Sequence, residues 1–525
     1  MRDFHLPGRS PVLAEGGMCA TSHPLGALVA VDALRRGGTA ADAAVAGAVV
    51  LGLCEPQMTG LGGDAFVLVK PAGSETVEAL NGSGRAPAGA SAAALRDAGH
   101  AEVPLDTPDA VTLPGAVDAF CRLSERHGRL GLADVLGPLI PYFEAGVPVA
   151  PRVAFDWAEA EGTPRGVAAD VYLKDGRAYR AGERFALPGQ AEVLRRIAAE
   201  GRAGFYEGEV AADMVAALRA LGGTHTADDF AAVRADWTDP IDGPYRDVEL
   251  VEHPPNGQGA TAILMANMLG GFDLSAMDPW GADRVHLEAE IAKLAYDARN
   301  RFLADPDHAA GVERMLDPDV ARRLAERIDM GRAMRDPAPV AEAVHRDTIY
   351  ITVVDRDRMA VSLIYSIFHS FGSGLASDRF GILFQNRGAG FTLKAGHPNE
   401  MGPGKRPMHT IIPAMLREGG RVTMPFGVMG GQYQPNGHAR LVSNLVDYGL
   451  DPQSAVDAPR AFADGGVLKV ERGYPDAVRA ALAERGHRVE VPATPIGGAQ
   501  AIRLHDGGWL EGASDPRKDG CALGY

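Results

Sequence analysis

Near residue 347 the chain changes from helical to strand character, and that change limits the folds open to it. Before it, from Pro114 to about Pro306, apolar residues recur at helical spacing. The spacing predicts helices over Gly115–His127, Leu132–Glu144, Gly189–Glu200, Val210–Leu221, Thr261–Leu269 and Asp283–Leu303. Proline-rich breaks at Thr238–Pro244 and His253–Gln258 interrupt them, with a short strand expected at Val248–Val251. Leu316–Val344 starts helical, turns polar and charged, contains Pro337 and Pro339, and reads as an exposed linker. It ends in Val344-His-Arg-Asp347 and runs into Thr348-Ile-Tyr-Ile-Thr-Val-Val-Asp355, a β-branched and aromatic run. A turn at Arg356–Met359 then leads to a second strand, Ala360–Ile367. Further strands are expected at Ile382–Phe384, Ile411–Leu416, Val422–Phe426, Leu468–Val470 and Ala499–Leu504, with helices at His438–Tyr448 and Pro475–Arg485. The chain is thus expected to be α/β, helix-rich in its first two thirds and strand-rich in its last third.

The start of the chain is equally legible. Pro24–Arg36 and Thr39–Cys54 read as consecutive helices parted by Gly37-Gly38, with Thr39 as N-cap and Asp42 in the first turn. The second is apolar nearly all round, which predicts burial. Thr59-Gly-Leu-Gly-Gly-Asp64 is a tight loop into a strand, Ala65–Lys70, which pairs as a hairpin with Thr76–Asn81.

Composition removes several functions. Across 525 residues, 52 Lys and Arg against 68 Asp and Glu leave a net charge of −16, which argues against a nucleic-acid or anionic-membrane surface. The four cysteines, Cys19, Cys54, Cys121 and Cys521, form no Cys-x-x-Cys pair, and free thiols in a reducing compartment are expected. The first residues carry no apolar signal core, and the longest apolar run, Ala43–Cys54, is too short to span a bilayer. The expected location is therefore cytoplasmic. No phosphate-binding P-loop or His-Glu-x-x-His is present, and the Gly-x-Gly-Gly of Thr59–Asp64 precedes its strand, the wrong order for a dinucleotide loop. Neither Gly82-Ser-Gly84 nor Gly372-Ser-Gly374 completes a nucleophile elbow. Neither a cofactor nor a metal is expected.

One feature remains. A hydroxyl residue, Thr348, heads a strong strand directly after a linker. Such a group can attack the preceding carbonyl, cut the chain, and then use its own freed α-amino group, pKa about 7.7–8.0, as general base. Threonine is also common at strand starts for structural reasons, so position alone leaves both readings open.

A family resemblance adds to this. Gly16-Gly-Met-Cys-Ala-Thr-Ser-His-Pro-Leu25, Leu34-Arg-Arg-Gly-Gly-Thr-Ala-Ala-Asp-Ala-Ala44 and Glu55-Pro-Gln-Met-Thr-Gly-Leu-Gly-Gly63 resemble the opening motifs of the γ-glutamyltransferase family. Gly204-Phe-Tyr-Glu-Gly208 and His286–Tyr296 follow in order, then Asp347–Asp355, Phe371-Gly-Ser-Gly374, Lys405–Pro413 and Gly427–Gly431. The match runs from about residue 14 to the C-terminus. It implies an N-terminal-nucleophile hydrolase with a four-layer α/β/β/α fold, made as a proenzyme. The implied cut falls between Asp347 and Thr348, giving a large subunit 1–347 and a small subunit 348–525, intertwined in one fold. Homo-oligomers are also open.

The resemblance also implies roles: Thr348 the nucleophile, Ser366 its supporting hydroxyl, and Gly430 and Gly431 the oxyanion-hole pair. The substrate pocket departs from the family pattern. Ser83 stands at the family's carboxylate-binding Arg, with Arg85 two residues on; Phe368 replaces an Asn and Gly390 the Asp that pairs with the substrate ammonium; His409 and Thr410 replace two Ser. Ile349 and Tyr350 replace a Thr-His pair after the nucleophile. Without the ammonium's partner, and with Arg387 and His409 added, the pocket suits an acidic acyl group lacking an amine. Arg85, Arg387, His409 and Thr410 are the candidate substrate contacts, although Arg85 and Arg387 also fit structural salt bridges and His409 a core histidine. Thr348–Phe391 and Glu511–Arg517 are more similar to the oxamate amidohydrolase branch. Three functions follow: a self-processing hydrolase of small acidic amides of oxamate or glutaryl type, a genuine γ-glutamyltransferase or glutathione hydrolase, and a non-catalytic binding protein on this scaffold.

Overall fold

A computed structural model describes residue 5 and residues 8–335 and 348–525. Asp347, Pro337, Pro339 and the end of the expected linker lie outside the described residues.

The strand that begins at Ile349 shows how sequence builds the architecture. Ile349–Val354 is wholly buried, so both of its faces must meet apolar partners. Ile349, Ile351 and Val353 pack into a cluster with the helices Pro24–Arg35 and Ala40–Cys54. Tyr350 and Val354 point the other way, into clusters shared with Met415, Met429 and Ile502 of a second sheet. That sheet's far face, through Leu416, Phe426, Val428 and Ala501, meets the helices Gly259–Leu269 and Gln434–Val446. The molecule is therefore layered helix, sheet, sheet, helix, the expected four-layer order.

Both sheets have seven strands and are antiparallel throughout. One runs Cys521–Gly524, Met18–Thr21, Ile349–Val354, Ala360–Ser366, Asp64–Lys70, Glu78–Gly82 and Asp236–Thr238. The other runs Val12–Ala14, Leu510–Ser514, Gly498–Leu504, Arg421–Met429, Ala414–Glu418, Val248–Glu252 and Ile241–Tyr245.

Several local expectations need correction. Thr238–Pro244 is not simply a break: Ile241–Tyr245 is a strand, and it tolerates Pro244 because it lies at a sheet edge where no partner needs that missing N–H. Leu132–Glu144 is two helices, Leu132–Leu136 and Ile140–Ala145, parted at Gly137–Leu139 by Pro138, with Pro141 in the first turn of the second. Ile382–Phe384 forms no strand; Leu383 makes only an isolated bridge to Ala376. Besides the strands expected at Ala65–Lys70, Thr76–Asn81 and Val248–Val251, the first two thirds supply Val12–Ala14 and Ile241–Tyr245 to one sheet and Met18–Thr21 and Asp236–Thr238 to the other.

Candidate active site

Register places the candidate groups in one row. Ser366 pairs with Asp64, and Ile349 pairs with Tyr365, so Thr348 heads its strand one step beyond, opposite Ser366. All three lie at the even positions of their strands, the face turned towards the second sheet. The Thr348 hydroxyl donates to Ser366 Oγ at 3.2 Å, and Thr348 is only 2% exposed. Ser366 Oγ also accepts from the Phe368 N–H at 2.9 Å and from Arg387 Nη2 at 3.2 Å.

Arg387 is fully buried, and its Nη1 donates to Thr410 Oγ1 at 3.0 Å. Its guanidinium carbon lies 4.0 Å from the centre of the Phe368 ring, a cation–π contact. Phe368 is held at φ +82, a conformation unusual for a residue with a side chain. Thr348, Ser366, Arg387 and Thr410 are thus brought together by hydrogen bonds.

The glycine pair joins this group through Gln258, whose Nε2 donates to Thr410 O at 2.6 Å and Gly431 O at 3.0 Å. Gly430 has φ +122 and Gly431 φ +56, and both follow the strand Arg421–Met429. A Cβ on Gly430 would lie 2.9 Å from Gly497 Cα, so the loop needs glycine on both counts.

His409 is buried one residue before Thr410. Its Nδ1 accepts from the Ile411 N–H at 3.3 Å, which leaves Nε2–H to donate to Asp64 Oδ2 at 3.1 Å. Burial, with Arg387 nearby, holds its imidazole well below the usual range, and therefore neutral. Asp64 Oδ1 accepts from Gln385 Nε2 at 2.7 Å and from the N–H groups of Gly84 at 2.8 Å and Gly115 at 3.3 Å. Burial raises its carboxyl to about 6 against the opposing pull of Arg387 and these donors. Asp64 had no role in the sequence reading. Its only signal was a carboxylate at the head of an apolar strand.

Arg85 is not brought to this group. It is 39% exposed in its side chain and pairs with Asp305 at 3.3 Å and Asp236 at 3.8 Å. Ser83 is buried and donates to Asn81 Oδ1 at 2.7 Å. At Gly390 a Cβ would meet Met408 O at 2.6 Å, so no carboxylate side chain fits there without backbone movement. A cavity of about 690 Å³ is lined among others by Asp106, Glu159, His369, Ser370 and Asn386, and by none of Thr348, Ser366, Arg387 or Thr410.

Among the described residues, one set has metal-ligand chemistry: His286, Glu290 and His487, with ligand-type atoms within 4.8 Å of one another. Sequence spacing did not show it. Its atoms are already engaged: His286 Nδ1 meets His487 Nε2 at 2.7 Å, and Glu290 Oε1 accepts from the Lys293 ammonium at 2.6 Å. An ammonium in place opposes a second cation.

The profile of the family described as Gamma-glutamyltranspeptidase matches residues 26–525. The chain belongs to the gamma-glutamyltranspeptidase family. It is accordingly an enzyme of N-terminal-nucleophile hydrolase fold, and the non-catalytic reading falls away. Among curated relatives of this gamma-glutamyltranspeptidase-family chain is the glutathione hydrolase-like YwrD proenzyme of Bacillus subtilis (strain 168), 36% identical over 98% of this chain and 99% of that one. The oxamate amidohydrolase proenzyme of Klebsiella pneumoniae subsp. pneumoniae is 34% identical over 97% of this chain and 98% of that one. Among solved structures, a cephalosporin acylase from Bacillus halodurans superposes with TM-score 0.92 at 36% identity, covering 100% of this chain and 99% of that one.

Proposed function

We propose that the chain is a self-cleaving amide hydrolase in which Thr348, freed at its amino end by a cut after Asp347, attacks small acidic amides of oxamate or glutaryl type. The observation that carries this is the contact series Thr348–Ser366–Arg387–Thr410: a candidate nucleophile, its partner hydroxyl and a buried cation in direct succession. Names of relatives agree in kind, since they include proenzymes, an oxamate amidohydrolase and acylases.

In this reading the Thr348 Oγ attacks the amide carbonyl carbon, and its proton passes to the Thr348 α-amino group. The Gly430 and Gly431 N–H groups hold the oxyanion. The α-ammonium then gives its proton to the departing amine. Water, deprotonated by the same amino group, attacks the Thr348 ester and releases the acid. Ser366 Oγ fixes the direction of the Thr348 hydroxyl. Arg387 pairs with the acyl carboxylate, and Gly390 leaves a substrate ammonium without a carboxylate at that position. All steps use the chain's own groups. A cytoplasmic location is part of the reading, supported by four unpaired cysteines.

The test is intact mass with N-terminal sequencing, wild type beside Thr348→Ala, followed by turnover of glutaryl and γ-glutamyl p-nitroanilides. Two chains from wild type, one starting at Thr348, an uncut variant, and preference for the glutaryl compound are expected. A wild-type chain that stays whole removes the base and ends the catalytic assignment. Preference for the γ-glutamyl compound ends the acidic-amide assignment alone.

A further inference from the structure

The buried groups around Arg387 do not balance in charge once an anion arrives. Asp64, His409 and Arg387 are all fully buried. His409 is neutral, so among the described residues the Asp64 carboxylate is the charge set against the Arg387 guanidinium. An acyl carboxylate seated on Arg387 adds one negative charge to a water-excluded site, which is strongly unfavourable. A proton from solvent cancels it.

Among the described residues the acceptors for that proton are few. Arg406 faces His409 but is a guanidinium, already protonated and paired with Asp236 at 2.8 Å. His253 is stacked on Phe66 at 4.0 Å, and burial holds its imidazole down to about 4 although both ring nitrogens face backbone carbonyls. In the mechanism above, the Thr348 α-amino group must stay neutral to act as base. Asp64 Oδ1 is filled by three N–H donors, which leaves Oδ2, facing His409 Nε2, as the oxygen able to carry hydrogen. When it does, His409 moves its proton to Nδ1, which ends the 3.3 Å contact from Ile411 and turns one N–H towards another, so the two must separate further.

Resting on the acidic-amide reading, we propose that the substrate's carboxylate enters this pocket together with one proton, which the Asp64–His409 pair takes up. Asp64 then sets specificity: it balances Arg387 in the empty pocket and is neutralised when the anion takes its place. The direction agrees with the carboxyl's own tendency. It stands near 6 while Arg387 opposes the rise, and an anion on Arg387 weakens that opposition.

The experiment is calorimetric titration of pentanoate, which keeps a single carboxylate on a chain of glutaryl length, into the processed enzyme at about pH 7.5, in buffers of different ionisation enthalpy, for wild type and Asp64→Asn. The dependence of heat on buffer counts protons. Wild type is expected to take up close to one proton, with affinity falling up to about tenfold per pH unit above about pH 6. Asparagine imitates the protonated carboxyl, so the variant is expected to bind with no uptake and little pH dependence. Wild-type binding without uptake overturns the proposal. So does uptake that persists in Asp64→Asn, which would place the proton on the α-amino group. Should the variant fail to fold, the pH at which wild-type uptake sets in decides: onset near 6 supports Asp64, and onset near about 7.7–8.0 places the proton on the α-amino group and overturns the proposal. Absence of pentanoate binding, with turnover of γ-glutamyl substrates intact, instead removes the acidic-amide reading and this inference with it.

Discussion

At the scale of single residues, the proposed chemistry depends on a hydroxyl that has to be aimed. Ser366 Oγ lies among the Thr348 hydroxyl, the Phe368 N–H and the Arg387 guanidinium. Ser366→Ala removes the acceptor and leaves Thr348 free to rotate. A fall in kcat of about 10² is expected, with KM little changed. Ser366→Thr keeps the oxygen and should recover most of the rate. Steady-state kinetics on glutaryl p-nitroanilide checks both, and an alanine variant with wild-type kcat removes Ser366 from the site. Arg387 acts on the other parameter. Arg387→Lys keeps the charge but not the two-nitrogen grip on Ser366 and Thr410, so KM for acidic amides should rise about tenfold or more while self-cleavage persists. Part of this site was legible as residue types in order: Thr348, Ser366, Arg387 and Thr410, named on the family resemblance, are joined by hydrogen bonds, while Gly431 of the glycine pair is linked to them through Gln258. Arg85 does not join them, because its backbone leads it out to Asp305 and Asp236. Asp64 was missed because its partner His409 is 345 positions away.

At the scale of elements, the first helices show what local chemistry fixes. Thr39 and Asp42 form a full capping box on Ala40–Cys54, as the sequence predicts. Thr39→Ala should cost about 1 kcal/mol, read as a lowered denaturation midpoint at unchanged slope. Edge strands such as Ile241–Tyr245 and Asp236–Thr238 were illegible for a related reason: their residues satisfy only one neighbour and carry weak alternation. The helix Ala40–Cys54 ends at Glu55, whose buried carboxylate accepts from Ser22 Oγ. Burial raises its carboxyl from 4.5 to about 7, against the pull of Lys518. The unfolded chain loses this proton near 4.5 while the native chain keeps it until about 7. Native stability from this group is therefore complete below the lower value and is lost as pH rises to the upper one, by roughly 3 kcal/mol. Glu55→Gln should show a flatter decline in melting temperature between pH about 5 and about 8 than wild type. Parallel declines in the two proteins would place the slope elsewhere.

At the scale of the whole molecule, the proposed cut does not fall between two bodies. Ile349–Val354 pairs with Met18–Thr21, and Ala360–Ser366 pairs with Asp64–Lys70. Ala414–Glu418 pairs with Val248–Glu252, Leu510–Ser514 with Val12–Ala14, and Cys521–Gly524 with Met18–Thr21. Every one of these ladders joins residues before the junction to residues after it, in both sheets. The apolar clusters do the same: Val353 and Leu363 pack with Val45 and Val49, and Phe426 with Ile263. Cutting one peptide bond at the head of a strand breaks none of them. Separating the two pieces would expose long unpaired strand edges and most of the apolar interior at once. The processed protein is therefore expected to elute from a sizing column as one species containing both chains, at the position of the uncut Thr348→Ala variant. The chains should part only with denaturant, in the same cooperative transition that unfolds the molecule. A chain 348–525 made alone should be insoluble, because its strands lack the neighbours that 1–347 supplies. Elution as two folded pieces in native buffer would mean that the ladders across the junction contribute little, and the single interleaved fold would then be wrong.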